Sequence, residues 1–166
     1  LSTFKLIANI PYYITGAILS HYLSHPRQPK TMVVLVQYEV AKRACATDNK
    51  ESLLSLSIKA YGAPKMVYKV SKGSFFPAPK VDSAVLAIYD ISRNNFKNQY
   101  HEAIFFKLIH AGFAHKRKLL VSNLKQVFSG TNIEALIQAS GIKEKARAED
   151  VTLTSWLQLS LLLSTQ

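Results

Sequence analysis

The run T-M-V-V-L-V-Q at residues 31–37 is the feature that most constrains the fold, because its central residues are all apolar. Such a run is typical of a parallel strand that is buried on both faces. A second short apolar run at residues 4–9 and a helical pattern at residues 16–23, with Thr15 as its N-cap, precede it. This strand–helix–strand order predicts an α/β sheet.

The rest of the first half continues the alternation. Residues 39–46 and 51–61 have helical patterns, and residues 65–71 and 83–89 have strand patterns. A proline-rich segment, F-F-P-A-P-K, lies between the two strand patterns, which are expected to pair as an antiparallel hairpin with a long connection.

A polar stretch at residues 90–98 separates two kinds of sequence pattern. Strand and helix patterns alternate before it, and only helical patterns follow it. We therefore predict an α/β domain at residues 1–91 and a small all-helical domain at residues 92–166. The predicted helices of the second domain cover residues 102–112, 116–128, 133–139 and 153–163. Glycines at positions 112, 130 and 141 are expected to end helices, and Trp156 is expected to anchor the helical core.

The net charge is +11, from 21 Lys and Arg against 10 Asp and Glu, which favours a polyanionic partner such as nucleic acid. Residues 91–130 carry seven basic side chains and one acidic side chain, so the charge is concentrated. No apolar run is long enough to span a membrane. The single Cys45 is expected to pack inertly in a helix, which suits a reducing cytoplasm, and no histidine spacing predicts a metal site.

The tetrad Asn9-Ile10-Pro11-Tyr12 follows the first predicted strand, where open α/β sheets bind their ligands. It places a side-chain amide, a backbone carbonyl and an aromatic ring within one turn. These groups can hold a planar base and accept hydrogen bonds from its exocyclic amino group. Taken alone, the tetrad also fits a simple strand-ending turn in which Pro11 breaks the chain and Tyr12 packs.

A glycine-rich cofactor turn of the G-x-G-x-x-G type is absent from the sequence. The pattern is that of the second half of an α/β sheet. We therefore expect the chain to be a C-terminal portion of a longer protein, and to be inactive by itself.

Four motifs occur in order: N-I-P-Y-Y-I-T at residues 9–15, F-F-P-A-P-K-V-D-S-A-V at 75–85, G-F-A-H-K-R-K-L-L-V-S-N-L at 112–124 and R-A-E-D-V-T at 147–152. Together they resemble the KsgA-type small-subunit rRNA adenine dimethyltransferases over nearly the whole chain. The Erm-type large-subunit rRNA methyltransferases share the tetrad. They usually carry Asn where this chain has Asp82, and their K-R-K region is less similar.

The resemblance implies a Rossmann-like methyltransferase sheet that uses S-adenosylmethionine, followed by a helical RNA-binding domain. It implies dimethylation of two adjacent adenines in a small-subunit (16S) rRNA hairpin during ribosome biogenesis. The implied partner is the small-subunit rRNA or the pre-30S particle. No membrane partner is implied, and a cytoplasmic monomer is expected.

The resemblance also assigns roles to residues. The Asn9 side chain and the Ile10 carbonyl would accept from the adenine amino group, with Asn9 also touching the cofactor. Pro11 would fix the turn, and Tyr12 and Phe75 would stack on opposite faces of the base. Phe76 is a rival for the role of Phe75.

Basic residues are assigned to RNA. Lys80 is expected to reach a phosphate or brace its loop, and Asp82 and Ser83 to satisfy backbone groups. Lys116, Arg117 and Lys118 are expected to open a helix. Positive charge is unfavourable at a helix start, so an RNA phosphate would compensate it.

Two alternatives remain open at this point. One is an Erm-type enzyme that acts on large-subunit rRNA, and the other is a non-catalytic RNA-binding module.

Overall fold

A computed structural model of the chain describes residues 3–165. The strands are β1 (Lys5–Asn9), β2 (Thr31–Gln37), β3 (Ala63–Val70) and β4 (Ser83–Tyr89). The helices are α1 (Thr15–Ser24), α2 (Tyr38–Cys45), α3 (Leu53–Lys59), α4 (Gln99–Gly112), α5 (Leu120–Lys125), α6 (Ile133–Ala139) and α7 (Leu153–Ser164). Short 3₁₀ turns lie at Tyr12–Ile14, Lys72–Ser74 and Ala148–Asp150.

The chain forms two compact units. The first contains the residues up to 48 together with residues 57–93, and the second contains residues 49–56 and the residues from 94 onward. The segment 49–56 thus belongs with the helical unit, although it lies within the first half of the sequence.

The first unit is built on one four-stranded sheet with the order β1-β2-β4-β3. Strands β1 and β2 are parallel, with Lys5 opposite Thr31, while β4 runs antiparallel to both of its neighbours. The predicted antiparallel pairing of the last two strands is confirmed. Strand β3 lies at the edge, which is where a strand tolerates a proline such as Pro64.

The core of the first unit is centred on β2 and β4. Met32, Val34 and Val36 are fully buried on one face of β2, and Leu86 and Ile88 are fully buried on β4. The opposite side chains of β2 are half-buried. The apolar run therefore marks a central strand of the sheet. The prediction of a parallel strand buried on both faces is confirmed only in part, because β2 is parallel to β1 but antiparallel to β4 and one of its faces is half-buried.

The second unit is helical, and its helices pack in a chain of contacts: α4 on α5 and α7, and α6 on α5 and α7. Trp156 is fully buried, as predicted, and its ring stacks near Phe113. Gly141 follows α6 with a φ of +69°, so it ends this helix as predicted. Gly112 differs: it is the last residue of α4, and a Cβ there would lie 2.5 Å from the Trp156 ring. Close packing, and not a left-handed turn, requires that glycine.

Two helix starts differ from the prediction. Helix α1 begins at Thr15 itself, with Ile14 as N-cap and no side-chain cap, so the predicted N-cap Thr15 is wrong. Helix α3 begins two residues later than predicted, because Ser52 accepts the backbone N–H of Ser55 through its hydroxyl, at 3.1 Å. This is the bond an N-cap makes.

Candidate active site

The sheet register brings two connections, the turn after β1 and the loop between β3 and β4, to one end of the first unit. Asn9 ends β1 opposite Leu35, and Leu35 lies opposite Val85 near the start of β4. Val70 ends β3 opposite Ser83, the first residue of β4. The turn after β1 and the loop between β3 and β4 therefore project from the same end of the sheet. This is the carboxyl end of β1 and β2, where such folds bind ligands.

The turn after β1 carries the tetrad. Asn9 and Pro11 are exposed, whereas Ile10 is buried and fixes the backbone between them. The chain then enters the 3₁₀ turn, in which the N–H of Ile14 donates to the carbonyl of Pro11 at 3.2 Å. The buried Ile10 thus anchors the backbone, and the side-chain amide of Asn9 is exposed to solvent at the end of β1.

Tyr12 is tied to the other side of the site. Its hydroxyl oxygen lies 2.5 Å from the hydroxyl oxygen of Ser83, which is fully buried at the start of β4. This bond joins residues that are 71 positions apart in the sequence. The sequence predicts that Ser83 satisfies backbone groups at the start of the strand. The structure shows that its side chain instead fixes the aromatic ring of the tetrad.

The loop at residues 71–82 is held by its last residue. A carboxylate oxygen of Asp82 accepts the N–H of Lys72 at 3.0 Å, and the other pairs with the Lys69 ammonium at 2.9 Å. The Lys72 N–H, and then the Lys69 ammonium, lower the pKa of the Asp82 carboxyl from its ordinary range. Asp82 satisfies a backbone group, as predicted, and closes the loop on which Phe75 lies.

Phe75, Phe76 and Lys80 share that loop but differ in exposure. Phe75 is half-buried, Phe76 is fully exposed, and Lys80 is exposed. Within residues 3–165 the rings of Tyr12 and Phe75 make no ring contact with each other. The arrangement offers an amide, a backbone carbonyl and two separate rings, all carried by loops at one end of the sheet.

The basic tripeptide lies in the second unit. Lys116, Arg117 and Lys118 are exposed in the loop that precedes α5, and α5 begins only at Leu120. The prediction that they open a helix is therefore wrong. Three cations in a first helical turn would oppose the helix dipole. The helix starts instead at Leu120, whose N–H donates to the carbonyl of Ala146 at 2.9 Å.

The side chain of Asn123 shapes this basic loop. It is buried on α5 and donates to the carbonyls of Gly112 at 2.6 Å and His115 at 3.1 Å. With His115, the three cations line a shallow depression of about 490 Å³. Sequence reasoning missed Asn123. Its one signal is an amide between apolar residues in the motif V-S-N-L.

A metal site is not found in the described residues, because no three His, Cys, Asp or Glu side chains among them are grouped to hold an ion. Burial raises the pKa of the Cys45 thiol, which favours its protonated form. Among residues 3–165, no helix is long and apolar enough to cross a membrane.

A methyl-donor cofactor can be tested against the residues present. Asn9 gives one exposed polar group beside the residues that are predicted to bind the base. The sequence holds no glycine-rich turn, and the first acidic residue after β1 or β2 is Glu39, in the first turn of α2. The described residues therefore fit a site for the methyl acceptor, but only one of them is suited to contact the methyl donor.

Two solved structures share the fold. One is a dimethyladenosine transferase from Plasmodium falciparum, with a TM-score of 0.82 and 21% identity, over 99% of this chain and 68% of that one. The other is the 23S rRNA methyltransferase ErmE, with a TM-score of 0.74 and 24% identity, over 96% of this chain and 65% of that one. These similarities show a Rossmann-like methyltransferase fold.

Curated relatives are more similar in sequence. The ribosomal RNA small subunit methyltransferase A of Dehalococcoides mccartyi is 41% identical over 160 residues, which are 95% of this chain and 55% of the relative. The protein of the same name from Fusobacterium nucleatum is 34% identical, over 93% of this chain and 60% of its own length. The chain thus spans little more than half the length of these relatives. The family model described as ribosomal RNA adenine dimethylase matches residues 2–165, and the chain therefore belongs to that family.

Proposed function

We propose that the full-length protein carrying this chain methylates adenine amino groups in small-subunit rRNA, with S-adenosylmethionine as methyl donor. The observation that carries the proposal is the exposed amide of Asn9, at the carboxyl end of β1, beside a ring fixed by the Tyr12–Ser83 hydrogen bond. The names of the relatives support rRNA of the small subunit as the substrate. Two adjacent adenines in one hairpin are the proposed targets.

The first task of the site is to orient the amino nitrogen. The lone pair of an adenine amino group is delocalised into the ring, so the nitrogen is a poor nucleophile. Acceptors that engage both of its N–H bonds favour the geometry in which the lone pair points away from the ring plane. The Asn9 side-chain oxygen and the Ile10 carbonyl oxygen are the proposed acceptors, and Pro11 fixes the turn that presents them.

When bound, S-adenosylmethionine supplies an electrophilic methyl group on a sulfonium. Asn9 would contact this cofactor as well as the base. The proton of the amine can leave after the transfer, so no side chain must remove it first. Positioning of the two reactants then supplies most of the rate.

The second task is to hold the base outside the RNA stack. Enzymes that modify a base place it between aromatic or apolar side chains. Tyr12 is proposed for one face, with its ring held by Ser83, and Phe75 for the other.

The third task is to bind the RNA backbone. Lys80 on the site loop and the basic loop Lys116, Arg117 and Lys118 are proposed to contact phosphates. Within residues 3–165 these four side chains form no ion pair, unlike Lys69 with Asp82 and Lys125 with Glu134. The helical domain, which the sequence predicts at residues 92–166, is proposed to bind RNA, while residues 1–91 are proposed to contribute to the transfer. We propose that the protein works as a cytoplasmic monomer on the pre-30S particle.

The test compares the two ribosomal subunits as substrates. Full-length protein is incubated with a methyl-labelled cofactor and with unmethylated small or large subunits. Label at adjacent adenines of small-subunit rRNA is the expected result. Label only in large-subunit rRNA would assign the protein to the Erm type. Binding without any label would make it a non-catalytic RNA-binding protein.

A further inference from the structure

Two large aromatic side chains at the site end of the sheet have no role in the function proposed above. Tyr13 is 89% exposed and Phe76 is fully exposed. Each directly follows a half-buried ring, Tyr12 or Phe75, that is assigned to the target base. Single exposed apolar residues are common on proteins, so exposure by itself assigns nothing.

Tyr13 and Phe76 differ from ordinary exposed apolar residues because hydrogen bonds hold the backbone segments on which they lie. Tyr13 is the central residue of the 3₁₀ turn, which the bond from the Ile14 N–H to the Pro11 carbonyl closes at 3.2 Å. The turn is also attached to β4 through Tyr12 and Ser83. Tyr13 is therefore exposed on a turn whose position is fixed on both sides.

Phe76 lies on a similarly ordered segment. The N–H of Phe75 donates to the Lys72 carbonyl at 3.4 Å, and the N–H of Ser74 donates to the Ser71 carbonyl at 3.0 Å. Asp82 closes the same loop through the Lys72 N–H. A large apolar ring displayed on an ordered loop, with no side chain covering it, is suited to contact a ligand.

The charge around Phe76 identifies the kind of ligand. Lys72 and Lys80 are exposed on the same loop, and neither forms an ion pair within the described residues. Exposed rings beside exposed cations are the combination that binds unpaired nucleotides, since bases stack on rings and phosphates meet cations. An apolar protein partner would not be favoured by these lysines.

We propose that Tyr13 and Phe76 form an outer aromatic rim that stacks the unpaired nucleotides next to the target adenine. This inference rests on the proposed function, and it extends it from the reacting base to its neighbours in the RNA. Tyr12 and Phe75 hold the target base, while Tyr13 and Phe76 hold the bases beside it. The rim gives the site a preference for unstacked RNA with bases on both sides of the target.

The test uses the full-length protein and two RNA hairpins of the same sequence. In one hairpin the nucleotides next to the target adenine are intact. In the other they are abasic, so the phosphates remain and only the flanking bases are lost. Wild-type protein should bind the abasic hairpin more weakly, by about 5- to 150-fold for each flanking base removed, the range that corresponds to one stacked base.

The variants Tyr13→Ala and Phe76→Ala should each reduce this difference between the hairpins. Tyr13→Phe and Phe76→Trp keep a ring and should restore it. Tyr100→Ala is the matched control, because Tyr100 is also an exposed tyrosine, at 60%, but lies on α4 in the helical unit. It should leave the difference unchanged. Tyr100→Ala should also leave single-turnover methylation at saturating RNA unchanged.

Two outcomes would overturn the inference. One is that both alanine variants discriminate between the hairpins as strongly as the wild type while methylation proceeds. The other is that they lose binding to vesicles of anionic lipid but keep their RNA discrimination, which would assign the rim to a membrane surface. If no hairpin is methylated but the alanine variants still lose discrimination, the proposed function fails and the rim stands as an RNA-binding surface.

Discussion

Asn9 combines exposure with a fixed backbone, because the next residue, Ile10, is buried below the sheet end. Removing its amide in the full-length protein should therefore affect chemistry more than folding. We expect Asn9→Ala to reduce single-turnover methylation by about 10²–10³, the scale for losing one positioned polar group at a reacting centre. Thermal unfolding should be unchanged. A variant that methylates at the wild-type rate would exclude Asn9 as the acceptor.

Phe75 and Phe76 are neighbours with opposite exposure, so their roles should separate experimentally. Phe75→Ala should weaken capture of the target base by about 1–3 kcal/mol, the value of one base–aromatic stack. The fluorescence of a 2-aminopurine placed at the target position reports this step. Phe76→Ala should leave that signal unchanged. The reverse pattern would exchange the two assignments within the loop.

At the scale of elements, the loop at residues 71–82 depends on the charge of Asp82. The folded pKa of this carboxyl is lowered, first by the Lys72 N–H and then by Lys69. The contribution of the ionised group to loop order is therefore fully present above the unfolded pKa of about 3.9, and it is lost as pH falls through the lower folded pKa. We expect the NMR signal of the Lys72 amide to titrate with a midpoint below the ordinary pKa of an aspartate carboxyl. Asp82→Asn should abolish this transition, and a midpoint above the ordinary value would contradict the tether.

The basic loop does not open a helix, contrary to the prediction from sequence, but its three exposed cations are available to contact RNA. Changing Lys116, Arg117 and Lys118 to Gln should weaken binding of full-length protein to all RNA sequences. The slope of log affinity against log salt should become shallower by roughly one unit per lost contact. Methylation at saturating RNA should change little.

The control for that experiment removes cations that are already paired. Lys42 pairs with Glu39 and Lys125 pairs with Glu134. Changing both to Gln should alter the salt slope less, per charge removed, than the change in the basic loop. Equal slopes for the basic-loop variant and the wild type would place the RNA path elsewhere.

At the scale of the whole molecule, the segment 49–56 belongs to the helical unit. The N–H of Glu51 donates to the carbonyl of Glu149 at 2.9 Å, and Lys50 forms ion pairs with Glu149 and Asp150. Leu56 brings a fully buried side chain. The segment is thus part of the structure of that unit, although the sequence places it far from the other helices.

A polypeptide of residues 94–166 lacks this segment and should be less stable than the same unit in the intact chain. We expect a loss of about 2–5 kcal/mol in the free energy of unfolding, the cost of removing one buried leucine side chain. Urea unfolding followed by Trp156 fluorescence measures it, since this is the single tryptophan of the sequence. Adding a peptide of residues 49–59 should restore part of the loss. Equal stability of the shortened and intact chains would contradict the role of the segment.

Several features were predictable from the sequence by itself because local chemistry encodes them. The apolar run of β2, the strand pattern of β4 and the turn at Pro11 depend on residues that are adjacent in the chain. The tetrad could be assigned to a strand end for the same reason. Burial of Trp156 followed from the apolar pattern of α7.

The tertiary structure alone decided which elements meet. Periodicity reports that a face is buried but not what covers it. The insertion of β4 between β2 and β3, the Tyr12–Ser83 bond and the two carbonyls that Asn123 caps were therefore not predictable. The start of α5 was predicted wrongly for a related reason. It depends on a hydrogen bond to the carbonyl of Ala146, 26 positions away, and on the helix dipole, which disfavours the preceding cations in the first turn. Contacts between distant parts of the chain build the site from motifs that the sequence shows separately.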